Sequence, residues 1–224
     1  MNEAITLNNQ GVQRLQEGDY SSALSDLKQA AELMHAALKA LEGSGTIPAE
    51  VIQYEGEENS RAYISAVPAK EEHVLSSSEN FVFLHDTPFR IPSSVPNSKA
   101  GATIVIAIVL YNMALTYHIS FCQSYSIPRS NEYAISLYKM ACSIGRKYCA
   151  DVKMTSIVMA CMNNLGCLHH ELGQFECAKT YLDDLARYIT TLGEVSDGRA
   201  HRLQKNEFML NAVFLRNSHP ARAA

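Results

Sequence analysis

Two asparagines stand at the same place in two similar stretches, Asn112-Met113-Ala114 and Asn164-Leu165-Gly166. A carboxamide donates and accepts at once, so an Asn on a helix face can hold a peptide backbone in both directions. The alternative role is to tie neighbouring helices together. His118 and His170 follow these asparagines at one common interval. Two imidazoles on one wall would read a carboxylate or change charge with pH, whereas the plainer reading is semi-buried histidines without a special role. Asn8, Val12, Tyr111, Leu115, Asn163 and Cys167 complete the predicted wall, with Ile108 near it. Val12, Ile108, Leu115 and Cys167 would suit a ligand with apolar side chains.

Other chemistry fares poorly. The chain has no GxGxxG, GxxxxGK[ST], GxSxG or HExxH pattern. His169-His170-Glu171, with Cys167 or Cys161, suggests zinc at first sight. Adjacent helical residues point about 100° apart, so His169 and His170 do not ligate one ion easily. Cys167 shares a face with Glu171 and with His170, but such a pair needs further ligands from elsewhere. Asp183-Asp184 and Glu57-Glu58 read as solvated charge. No metal, cofactor or catalytic residue is expected, and the chain reads as a non-enzyme.

The elements that would position the wall are helical hairpins. In 154–192, Ile157, Cys161, Leu165, Leu168 and Leu172 recur at helical spacing. After Gly173 the pattern resumes with Ala178, Tyr181, Leu182, Leu185, Ile189 and Leu192. Residues 2–41 match it: Gly11 stands where Gly166 stands, Gly18-Asp19-Tyr20 where Gly173-Gln174-Phe175 stands, Ala23 with Ala178 and Leu27 with Leu182. Gln10 departs from the pattern at the place of Leu165. The second helix of this hairpin should stop at Gly43-Ser44-Gly45. Residues 100–148 give a stretched version, with Tyr117 as the aromatic and Ala134, Tyr138 and Ala141 in the second helix.

These residues resemble the tetratricopeptide repeat (TPR) family, in which each unit of roughly 34 residues is a pair of helices. Asn164-Leu165-Gly166, Leu168, Gly173, Phe175, Ala178 and Leu182 carry the resemblance most fully. It implies an all-α fold, a right-handed TPR-like superhelix of about three helix pairs with a capping helix. Repeat 1 would take 1–42, repeat 2 100–148 and repeat 3 151–192. The capping helix would span 194–216, with an apolar stripe of Leu203, Leu210, Val213 and Phe214 and with Phe208 and Met209 at its edges. Residues 217–224 read as a tail. The first helices of the pairs would line a concave groove, where the family binds an extended peptide or a helix of another protein. The wall residues named above are the peptide-binding residues this implies. Family members that grip a terminal carboxylate use Lys, Arg and Asn at set places. Here those places hold Asn8, Val12, Asn112, Ala160 and Asn164, without cations, so that ligand is not expected.

Residues 43–99 interrupt the repeats. Pro48, Pro68, Pro88, Pro92 and Pro96 exclude a long helix, and Ser76-Ser77-Ser78 and eight Glu between 42 and 79 make the segment Pro/Ser/Glu-rich and acidic. Arg61–Val67, and Phe81–Leu84 with Phe89–Ile91, look like short β-strands, the latter two as a small hairpin. One reading packs this insertion on the flank of the repeats. The sharper one lays it across the groove as a gate.

Composition bounds partners. With 47% hydrophobic and 19% charged residues the chain is globular. A net charge of -4 argues against nucleic acid as a partner. The six cysteines form no CxxC pair, which fits a reducing, cytoplasmic setting, and the N-terminus shows no secretory signal. The most apolar run, 100–110, is about half of the roughly 20 residues a membrane span needs, so no membrane span is expected. An adaptor that binds another protein is therefore the leading reading. The alternatives are self-assembly into a homodimer through helical surfaces and, less well supported, a small-ligand-binding protein.

Overall fold

In the computed structural model the helices are α1 (Asn2–Glu17), α2 (Tyr20–Gly43), α3 (Lys99–Cys122), α4 (Ser130–Lys147), α5 (Val152–Glu171) and α6 (Phe175–Leu192). The structure describes residues 1–43, 65–66, 84–96, 98–123, 127–147, 152–192, 206, 208–213 and 215. The expected tail, most of the expected insertion and residues 193–205 lie outside the described residues. Among those described, the fold is mostly helical, as expected.

The two sharpest turns follow from glycine. Gly18 (φ 83°) and Gly173 (φ 71°) adopt the left-handed conformation that lets a helix end abruptly. At both, the same bonds tie off the helix. Gly18 N–H donates to the Leu15 carbonyl and Asp19 N–H to that of Arg14; Gly173 N–H donates to the His170 carbonyl and Gln174 N–H to that of His169. The repeat equivalence read in the sequence is thus also an equivalence of turn geometry. Asp19 adds a cap, its Oδ1 accepting from Ser22 N–H at 3.1 Å.

Close approach follows from the other matched glycines. A Cβ on Gly11 would meet the Leu27 side chain at 2.7 Å, and one on Gly166 would meet that of Leu182 at 2.7 Å. Gly166→Ala is therefore expected to destabilise the chain by about 1–3 kcal/mol through overpacking, measured as a drop in the urea midpoint at unchanged slope. An unchanged midpoint would show that α5 and α6 can separate at no cost.

The chain zigzags between two rows of helices. α2 packs between α1 and α3, α4 between α3 and α5, and α6 against α5; α1, α3 and α5 also touch in succession. α1 buries Ile5, Asn8, Val12 and Leu15 on one stripe, α4 Ala134, Tyr138 and Ala141, and α6 Ala178, Leu182, Leu185 and Ile189. α3 is different, being buried on almost every side from Gly101 to Ser120 because it has neighbours on every side. It is the one described helix long and apolar enough to cross a membrane, and 83% of its apolar window is covered by the rest of this fold.

The short strand Phe89–Arg90 pairs antiparallel with Ser65–Ala66, Ala66 opposite Phe89; residues 81–83, most of the other arm of the expected hairpin, lie outside the described residues. One expectation needs correction: the C-terminal helical residues use another face than expected. Phe208, Asn211, Ala212 and Leu215 are buried, whereas Leu210 and Val213 are 50% and 52% exposed. The buried set follows helical spacing as well as the expected one does. The tie is broken by Phe208, whose ring meets His85 edge-on at 5.3 Å.

Candidate peptide-binding face

The face made by α1, α3 and α5 carries a row of asparagines, and an extended piece of the chain itself lies on them. Asn164 on α5 accepts from His85 N–H with Oδ1 at 2.9 Å and donates from Nδ2 to the His85 carbonyl at 3.0 Å. Asn112 on α3 treats Phe89 in the same way, at 2.9 Å to the N–H and 2.8 Å to the carbonyl. Asn9 on α1 does so for Ile91, at 2.8 Å and 2.7 Å. The strand thus runs from α5 over α3 to α1, with one residue held on each helix. Each clamp satisfies both backbone groups of one residue, as a β-ladder partner would.

The clamps are themselves oriented. Asn8 and Asn163, each one residue before a clamp, donate from Nδ2 to the Oδ1 of Asn9 and Asn164 at 3.2 Å and 3.1 Å. Asn8 also accepts from Asn112 Nδ2 at 2.9 Å and donates to the Phe89 carbonyl at 3.3 Å. On α3 this place holds Tyr111, whose hydroxyl donates to the His85 carbonyl at 3.0 Å. Asn8, Asn112, Asn163 and Asn164 are all 0% exposed. Buried amides keep such geometry because an unpaired one costs about 1–3 kcal/mol.

Side chains of the strand then fill the face. Phe89 and Ile91 are 1% exposed. The Phe89 ring lies 4.9 Å from that of Tyr111, which in turn lies 5.8 Å from Tyr138. His85 sits among Phe89, Tyr111 and Phe208. Burial pushes its imidazole down to about 4, so the ring is neutral at pH 7. Burial raises the Tyr111 and Tyr138 phenols well above their ordinary value, so both remain donors. Burial also raises the neighbouring Asp86 carboxyl. Asn211 closes the end of the row, donating from Nδ2 to Asn163 Oδ1 at 2.6 Å.

The predicted wall is brought together in part. Asn8, Tyr111, Asn112 and Asn164 touch the strand, and Asn163 supports Asn164. Val12, Leu115 and Cys167 are fully buried, and Cys167 Sγ accepts from Asn163 Nδ2 at 3.8 Å. His118 and His170 do not join the wall. Six residues beyond a clamp is about 600° of helix rotation, which turns each imidazole well away from the Asn. His118 faces Glu171 and Tyr138 instead. His170 packs edge-on against Phe175. Asn9, missed as a wall residue, was within reach of the sequence: aligning Gly11 with Gly166 sets Asn9, not Asn8, opposite Asn164.

Compared with protein-family models, curated proteins and solved structures, the chain matches none.

Proposed function

We propose that this chain is a TPR-like protein-interaction module whose concave groove binds extended peptide by its backbone, and that the resting protein keeps its own residues 84–91 in that groove. The observation that carries this reading is the set of three bidentate asparagine clamps, one on each first helix of a pair. Clamping N–H and C=O together selects extended backbone of any sequence. Specificity then falls to the side chains between clamps, here an aromatic at 89 and a β-branched residue at 91. A partner peptide must displace the resident strand, so apparent affinity is reduced by the fraction of molecules in which the groove is vacant. The module reads as an adaptor without catalytic activity, acting in a reducing, cytoplasmic setting on another protein.

The test uses a fluorescent peptide of residues 84–92. Wild type is expected to bind it weakly, since the tethered strand competes intramolecularly. Ile91→Ala, which weakens the tethered strand, is expected to bind the peptide at least tenfold more tightly. Adding Asn112→Ala and Asn164→Ala should abolish that gain. A folded Ile91→Ala protein that binds no better than wild type would show the strand to be a fixed part of the fold, and the adaptor reading would fall.

A second reading has one observation in its favour. Leu210 and Val213, one helical turn apart, are both half-exposed, as a helix-mediated homodimer would require. A monomeric mass at high protein concentration would remove it.

A further inference from the structure

Three side chains from two helices converge below the clamp row with the chemistry of a metal site. His118 and Cys122 lie four residues apart on α3, hence on one face of that helix. Glu171 ends α5. Its Oε2 lies 3.3 Å from His118 Nε2 and 3.4 Å from Cys122 Sγ, and all three ligand atoms fall within 4.8 Å of one another. A tetrahedral ion with bonds of about 2.0–2.3 Å holds its ligands about 3.3–3.7 Å apart. The two distances from Glu171 Oε2 fall in that range.

We propose that His118 Nε2, Cys122 Sγ and Glu171 Oε2 form a Zn²⁺ site, with the fourth position taken by water. The donor set is the mixed nitrogen, sulfur and oxygen set that a borderline-soft divalent ion accepts. His118 is fully buried, while Glu171 keeps 26% of its side chain in solvent and Cys122 is exposed, so an ion can enter from the rim. Tyr138 Oη lies 3.5 Å from His118 Nδ1 and can accept a hydrogen bond from Nδ1–H, the tautomer that leaves the Nε2 lone pair for a cation. Tyr138 is held in turn by Asn164 Nδ2 at 3.0 Å, so the site is tied to the clamp row.

Metal uptake by these groups would carry a pH dependence. Without a cation, packing around the sulfur and then the Glu171 charge push the Cys122 thiol up to about 12. For Glu171, burial works upward, but the hydrogen bond from His118 and the charges near it outweigh burial and hold the carboxyl below its ordinary value. The carboxylate is thus formed and the thiol is not. A divalent ion would displace the thiol proton to the buffer and stand against two negative ligands, so uptake should release a proton and strengthen as pH rises.

Co²⁺ reports the site directly, because thiolate ligation gives a near-ultraviolet charge-transfer band. The full chain, reduced and stripped of metal, is expected to take one equivalent of Co²⁺ with that band, and Zn²⁺ should displace it. Cys122→Ser should lose the band. Glu171→Gln should weaken binding at least tenfold. Both positions are at the rim, so both variants should fold, which circular dichroism checks. Cys177→Ser, at the other exposed cysteine among the described residues, should leave the band intact. No band in wild type, or an equal band in Cys122→Ser, overturns the proposal and leaves a His–Glu ion pair with a bonded thiol.

Discussion

Phe89→Ala is expected to release the strand from the α1/α3/α5 face. Phe89 is 1% exposed and its ring packs, tilted, 4.9 Å from that of Tyr111. Truncating a buried Phe costs about 3–5 kcal/mol. The rest of the core does not rest on this ring, because the helices contact one another directly in a chain from α1 to α6. The strand can therefore leave while the helices stay folded, and the loss is bounded by what docking contributes. Two readouts follow. The His85, Phe89 and Ile91 amides, each held by an asparagine, should lose hydrogen-exchange protection, while amides inside α3 and α5 keep theirs. The melting temperature should fall by about 6–20 °C if all of the cost is felt globally, and by less if the strand undocks. Tyr133→Ala is the control. Its side chain is 48% exposed, so the change should stay within about 0.5 kcal/mol. Protection retained at 85, 89 and 91 in Phe89→Ala would mean that the clamps alone hold the strand.

How much of this was legible beforehand varies with the physics of each feature. The hairpins of 2–43 and 152–192 were, because local spacing controls them: Gly18 and Gly173 end helices by backbone conformation, and Gly11 and Gly166 let Leu27 and Leu182 approach. Asn112 and Asn164 were legible as a pair by their matched places. That a carboxamide can hold backbone in both directions was a chemical inference, with the tying of neighbouring helices as its alternative; in the structure both asparagines bond the two backbone groups of one residue of this chain and also reach Asn8 and Tyr138 on neighbouring helices. What no local pattern gives is the occupant. Asn164 meets His85 across 79 positions of sequence, and Asn9 meets Ile91 across 82. An extended strand of seven residues has no periodicity strong enough to announce such a partner. The aromatics Phe81, Phe83 and Phe89, too many for a purely solvated linker, are the available sign in the sequence. His118 failed for a simpler reason, because equal spacing from two asparagines guarantees a common direction and not the same direction as the Asn. The Cys122–Glu171 proximity was also hidden, since it depends on where α3 and α5 end relative to each other.

Acidification is expected to loosen the same strand, through His85. In the docked state its half-buried side chain packs among Phe89, Tyr111 and Phe208, with Nε2 out of solvent and unpartnered, and desolvation lowers its value from 6.5 to about 4. The docked form therefore binds this proton less well than the released form, whose imidazole titrates near its ordinary value. Docking is unaffected above pH 6.5. Between pH 6.5 and about 4 the released form takes up a proton that the docked form refuses, and docking weakens throughout that window. The full effect is about 3 kcal/mol at the low end, at roughly 1.4 kcal/mol per unit. The groups nearest the strand do not reverse this. Tyr111 and Tyr138 stay protonated across the window. Asp86 is raised by burial, so it gains its proton earlier when docked and offsets part of the loss near pH 4. His85→Phe keeps an aromatic ring without the proton. Urea unfolding from pH 7 to 4 should show wild type losing stability faster than His85→Phe, with the gap opening below pH 6.5. Parallel pH profiles for the two proteins would place the imidazole in water rather than under Phe208, and the strand would have no acid release.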